Sequence, residues 1–149
     1  MYALAAAQGL AVAQFDLAYM YENGKGVVAD PQKAVELYES SAVSIPTARH
    51  NLAVMYFSGK SIHKDLALAY KWVLLDVSAE HARVLTGDSE VTDPPRLGYA
   101  LLLANDIAKH MSRDEKKSGR SLAEDWIHTN AARLGEEPRF FQEAIARLK

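Results

Sequence analysis

The feature that most constrains this chain is that it repeats itself. The stretch Ala13 to Tyr38, AQFDLAYMYENGKGVVADPQKAVELY, returns 35 residues later from Ala48 to Val73. Nine positions coincide in that register: Ala13/Ala48, Leu17/Leu52, Ala18/Ala53, Met20/Met55, Tyr21/Tyr56, Gly24/Gly59, Lys25/Lys60, Asp30/Asp65 and Ala34/Ala69. A period of this length, filled with helix-forming residues, means stacked helical hairpins whose apolar faces are buried only by their neighbours.

Each copy carries its own punctuation. A first helix from about Leu10 to Glu22 is apolar over more than one face, as a helix packed between neighbours must be. Small Ala13 and Ala18 allow close approach, while Leu17 and Tyr21 share one stripe. Gly24 suits the left-handed position after the last turn, and Val27 folds back as an apolar plug matched by Ile62. Asp30-Pro31 then opens the partner helix, Pro31 to Val43, with a capping carboxylate and a proline whose missing N–H is harmless at the first helical position.

The second copy keeps Pro46, Gly59 and Asp65 as start, stop and cap, but Ser61 replaces Gly26 and Ser44 replaces Gly9. Its partner helix, with Ala69, Tyr70, Trp72, Val73 and Leu75, is the most hydrophobic of the chain and is expected mid-stack. After Val77 the repeat decays. Ser78 to Leu85 is expected as a short separate helix, and residues 86–93 as an acidic, turn-rich loop. Asp93-Pro94 opens a long helix with apolar residues from Leu97 to Met111. Ser112-Arg113-Asp114-Glu115 is a capping box that starts another helix, in which Gly119 is a propensity cost of ~1 kcal/mol, and a last helix begins near Pro138. The organisation expected is residues 1–8 as the end of a truncated repeat helix, 9–43 and 44–77 as two repeats, and 78–149 as a degenerate repeat, acidic loop and C-terminal capping helices.

The pattern A-Q-x-x-L-A-x-x-Y-x-x-G-x-G-V-x-x-D-x-x-K-A-x-x-L-Y from Ala13 to Tyr38 resembles a Sel1-like repeat, related to the tetratricopeptide repeat. Met111-Ser112 with Glu115, Ala123 and Trp126 resembles the segment that closes bacterial arrays of this type. The resemblance implies an all-α right-handed superhelix, a solenoid of helix-turn-helix repeats with C-terminal capping helices. It also implies an adaptor that binds a protein or peptide on its concave face, with no enzymatic activity. A cysteine-rich branch of the family is associated with β-lactam or peptidoglycan recognition; this chain has no cysteine, so that role does not carry over with the resemblance.

Composition narrows the alternatives. A formal net charge of -2 offers no broad attraction to nucleic acid or anionic membrane. No apolar run reaches the roughly 20 residues needed to span a bilayer, and the N-terminus lacks the basic leading region of a signal peptide; cytoplasm and periplasm both remain open. His50, His63, His81, His110 and His128 are scattered without metal-ligand spacing. Glu80 with His81, and Asp106 with His110, can be read as acid/base pairs or as surface neighbours. No nucleophile elbow or dinucleotide fingerprint is present, so no catalytic residue, cofactor or metal is expected. The basic face of Lys116, Lys117, Arg120 and Arg113 is diluted by Asp114 and Glu115 and reads as a solvated helix side.

Residues that line the concave side without packing the repeats should differ between copies. Those columns are Asp16/Asn51, Tyr19/Val54 and Asn23/Ser58, spaced to form one stripe per helix. They are the expected protein-binding residues, with Tyr19 foremost because aromatic side chains anchor interfaces; the alternative is that they are simply solvated. A cell-wall binding or hydrolysing protein, and a structural cap that self-associates through residues 2–8, are the competing readings.

Overall fold

The structure is a computed structural model that describes residues 9–86, 96–135 and 137–148. Among these residues there are seven α-helices: α1 (Ala11–Asn23), α2 (Pro31–Ser41), α3 (Pro46–Ser58), α4 (Leu66–Thr86), α5 (Arg96–Lys109), α6 (Arg113–Asn130) and α7 (Glu137–Ala146), with one 3-10 turn, Ala131–Arg133. The helices form an all-α right-handed superhelix of helix-turn-helix repeats closed by C-terminal helices. Residues 2–8, the acidic segment from 87 onward and the Asp93-Pro94 signal lie outside the described residues.

The two hairpins are copies down to single bonds. Gly24 and Gly59 both end their helices in the left-handed region, at φ 65° and 61°, and their amides donate to Met20 O and Met55 O. The amide of Asp30 donates to Tyr21 O at 3.0 Å, and that of Asp65 to Tyr56 O at 3.1 Å. Asp30 Oδ1 then accepts from Lys33 N, and Asp65 Oδ1 from Leu68 N. Shared residues are thus spent on turning the chain, satisfying amides that a helix start leaves without partners. Ser61 does not adopt a positive φ, in contrast to Gly26 at 73°.

α1 packs on α2, α3 on α4, and α2 on α3 joins the two hairpins. Ala18, Ala34, Ala42, Ala48, Ala53 and Ala69 are wholly buried at these crossings, filling the gaps between large Tyr38, Leu52 and Trp72. Truncating one of those large side chains would cost on the order of 2–5 kcal/mol.

The short helix expected over Ser78 to Leu85 does not exist as a separate element. α4 runs unbroken through Val77-Ser78 to Thr86, 21 residues in all. Decay of the repeat does not end the helix: no glycine or proline interrupts Leu66–Thr86, and the helix is buried on every side from Trp72 to Ala82. α5, α6 and α7 each pack on α4, α6 against its first turns at Ala67 and Tyr70. The second partner helix is therefore the spine of the molecule. The capping box forms as read: Ser112 Oγ accepts from Glu115 N, and Ser112 N donates to Glu115 Oε2 at 2.7 Å.

Gly119 is more than a propensity cost. It is buried where α6 crosses α4, and a Cβ there would stand 3.0 Å from Ala67 O and 3.1 Å from Tyr70 Cβ. Only glycine allows that approach.

A candidate protein-binding cleft

One buried residue knits the repeats to the closing helices. Arg49, fully buried in α3, donates from Nε to Ala42 O at 2.7 Å and from Nη2 to Val43 O, neutralising carbonyls left open where α2 ends. Nη1 donates to Leu75 O of α4 at 3.0 Å and to Glu137 Oε1 of α7. Its guanidinium also lies 4.9 Å from the Trp126 ring centroid of α6, a cation–π contact. Glu137 is pulled in two directions. Burial pushes its carboxyl up, while the Arg49 charge and hydrogen bond pull it back down; burial prevails.

Next to Arg49 in sequence, His50 opens on a different environment. Its Nδ1 lies 2.9 Å from Asp76 Oδ2 of α4, a hydrogen bond between the two side chains. These two residues, with Thr47 and Val54 of α3 and Arg96, Tyr99 and Leu103 of α5, line a cleft of about 520 Å³. Its rim is apolar and exposed, with Tyr99 at 59% and Val54 at 41%. Its floor is polar: Asp76 is 1% exposed. Arg96 is paired with Glu80 of α4, Nε to Oε1 at 3.3 Å.

Of the six residues expected to bind a partner, Val54 is the one found among the described lining residues. Tyr19 is exposed on α1, where its hydroxyl accepts from Lys25 Nζ at 2.9 Å and its ring carries the same ammonium 4.6 Å from the centroid. Asn23 is exposed and its Nδ2 donates to Tyr19 O, closing the end of α1. Asp16 is half-buried. Asn51 is half-buried, and the Tyr38 hydroxyl donates to Glu22 Oε2 at 2.7 Å. That bond joins α1 and α2, and burial with the Glu22 contact pushes the Tyr38 hydroxyl well above the usual phenol range. Ser58 is exposed, its hydroxyl donating to Met55 O.

The acid/base pairings do not form. Glu80 takes Arg83 and Arg96, whereas His81 is buried against Phe140 and 3.7 Å from Glu143. Asp106 pairs with Lys109, and His110 packs on Phe57. Among the described residues no group of three histidines, cysteines or carboxylates could hold a metal.

Sequence reasoning overlooked Arg49, His50 and Asp76. The signal was present in the register of the repeat. Thirty-five residues earlier stand Gln14, Phe15 and Ser41. Phe15 packs on Tyr38 at 5.5 Å and Ser41 is buried with its hydroxyl donating to Tyr38 O. The second copy has therefore exchanged an aromatic and a self-satisfied serine for a histidine and a carboxylate that pair with each other. Searching the first helix of each hairpin alone could not reveal a change shared between two helices.

The hairpin geometry, the glycine-terminated first helix and the capped partner helix agree with what comparison finds. The sequence model of the Sel1 repeat matches residues 11–42 and 46–75. These two stretches of the chain are similar to Sel1 repeats. A protective antigen of uropathogenic Escherichia coli strains that displays an SLR fold superposes with a TM-score of 0.72 at 21% identity, over 95% of this chain and 27% of that protein. The present chain thus spans about a quarter of that neighbour's length. A Sel1 repeat protein from Oxalobacter formigenes matches with a TM-score of 0.46 at 22% identity, over 80% of this chain and 95% of the other. Comparison with curated proteins finds no match. The Sel1-like fold generally mediates protein–protein interaction and typically serves as a scaffold without enzymatic activity. No helix among the described residues is long and apolar enough to cross a membrane.

Proposed function

We propose that this Sel1-like chain is a protein- or peptide-binding adaptor whose partner seats in the cleft between α3, α4 and α5. The supporting observation is the pairing of an exposed apolar rim, Val54 and Tyr99, with a buried polar floor, His50 and Asp76. Anchors that exclude water around a few fixed polar groups are how interfaces gain most of their affinity. The helices that hold these residues are rigidly packed, so little ordering cost falls on binding.

Val54 and Tyr19 occupy the same column of the stacked hairpins. Tyr19, with Asp16 and Asn23 beside it, is proposed as the continuation of this surface onto α1, and Asn51 and Ser58 as its flanks on α3. Affinity capture from the source organism with wild-type protein, Val54→Asp and Tyr99→Ala separates the possibilities. Both side chains are exposed, so the variants should fold, and both should lose the partner. A partner retained by both variants but lost with Tyr19→Ala would move the surface to α1 and abandon the cleft.

A further inference from the structure

The floor of the cleft is chemically incomplete, and the missing part points to the partner's chemistry. Asp76 is almost wholly buried, yet only Oδ2 is used, by His50. Among the described residues, no hydrogen-bond donor reaches Oδ1. A buried carboxylate oxygen left without a donor is strongly unfavourable.

The nearby cations are already committed. The Arg49 guanidinium spends its N–H groups on Ala42, Val43, Leu75 and Glu137, and Arg96 faces Glu80, which also holds Arg83. Arg49 is paired with Glu137, and among the described residues no lysine or arginine pairs with Asp76. His50, with a third of its side chain exposed, is the group in contact with Asp76. The unpartnered oxygen and the lack of a lysine or arginine paired with Asp76 call for a cationic donor arriving through the cleft.

We propose that the cleft receives a lysine or arginine side chain from an extended segment of the partner, its N–H groups donating to Asp76 Oδ1. The methylenes of such a side chain lie along Val54 and Leu103, as long basic residues bury their stems on apolar surface, and the Tyr99 ring borders the charge. Arg96, which also lines the cleft, is paired with Glu80. This inference rests on the adaptor reading and adds to it the residue that the partner must carry.

The test selects a displayed library of random peptides on the wild-type protein. The selected peptides are then measured against wild type, Asp76→Asn and Tyr99→Ala, with resonances of residues 50–54 and 96–103 followed in 15N-labelled protein. Binders that share a lysine or arginine, perturb those resonances, and weaken roughly tenfold to a hundredfold on Asp76→Asn support the proposal, since that is the worth of a charge-assisted hydrogen bond. Replacing the shared arginine with neutral, isosteric citrulline should weaken binding to wild type by a similar factor and leave Asp76→Asn nearly unaffected.

Cleft binders without a basic residue overturn the inference and leave the adaptor reading standing. Basic peptides that bind wild type and Asp76→Asn alike also overturn it, because their attraction is then diffuse. Absence of any binder at the cleft sinks both. Should Asp76→Asn melt early, Tyr99→Ala together with the citrulline peptide decides the matter without disturbing a buried residue.

Discussion

Arg49 donates to Glu137 across 88 residues of sequence, tying the first helix of the second hairpin to the last helix of the chain. The same guanidinium holds the end of α2 and a carbonyl of α4. One side chain therefore secures the junction between repeats and the closing helices against the spine.

Removing one member of this pair should be far worse than removing both. Arg49→Met leaves the Glu137 carboxylate buried without a partner and opens the Ala42 and Val43 carbonyls, so a loss of about 3–5 kcal/mol is expected in urea denaturation. Arg49→Met with Glu137→Leu should recover a large part of that loss. A double variant as unstable as the single one would mean that the carbonyl contacts, not the ion pair, dominate.

The same pair gives stability a definite pH slope. Burial raises the folded-state pKa of Glu137 above its ordinary value of 4.5, so the folded chain holds this proton more tightly than the unfolded one. By linkage the contribution is fully present below the ordinary carboxylate range and is lost as pH rises through the folded-state value. Glu39, also raised by burial, acts in the same sense. Glu137→Gln should flatten the fall in melting temperature on the alkaline side of 4.5; an unchanged slope would rule Glu137 out as its source.

Two glycines in helices should respond oppositely to alanine. At Gly119 the new Cβ meets Ala67 O and Tyr70 where α6 crosses α4, and overpacking of about 1–3 kcal/mol outweighs the propensity gain of about 1 kcal/mol. At Gly98 in α5 nothing lies within 4 Å, so Gly98→Ala should stabilise by about 0.5–1 kcal/mol. Thermal melts of the two variants should shift to opposite sides of wild type.

Ser112→Ala should cost about 1 kcal/mol, because it strips the N-cap acceptor from Glu115 N. Since α6 packs on α4, the effect should appear in global denaturation as well as in amide exchange of the first turn. Ser112→Asp, which retains an acceptor at the cap, should restore most of it.

The hairpins, their caps and turns, and the capping box of α6 were all legible from the sequence. They depend on contacts within a few residues, such as Asp30 with Lys33, Asp65 with Leu68 and Ser112 with Glu115. The copies disagree at Val54, and it lines the cleft. The continuity of α4 was not legible, since periodicity cannot distinguish a helix that ends from one that changes neighbours. Nor was the cleft: Arg49 and Glu137 find each other over 88 residues, and His50 and Asp76 over 26. What such residues do depends on which helix α4 carries to them, and that is decided by packing. Local hydrogen bonds and the repeat period determined the sort of fold from sequence alone. Only the tertiary structure, by burying a carboxylate with one oxygen unsatisfied beneath an apolar rim, decided where in that fold to look for a partner.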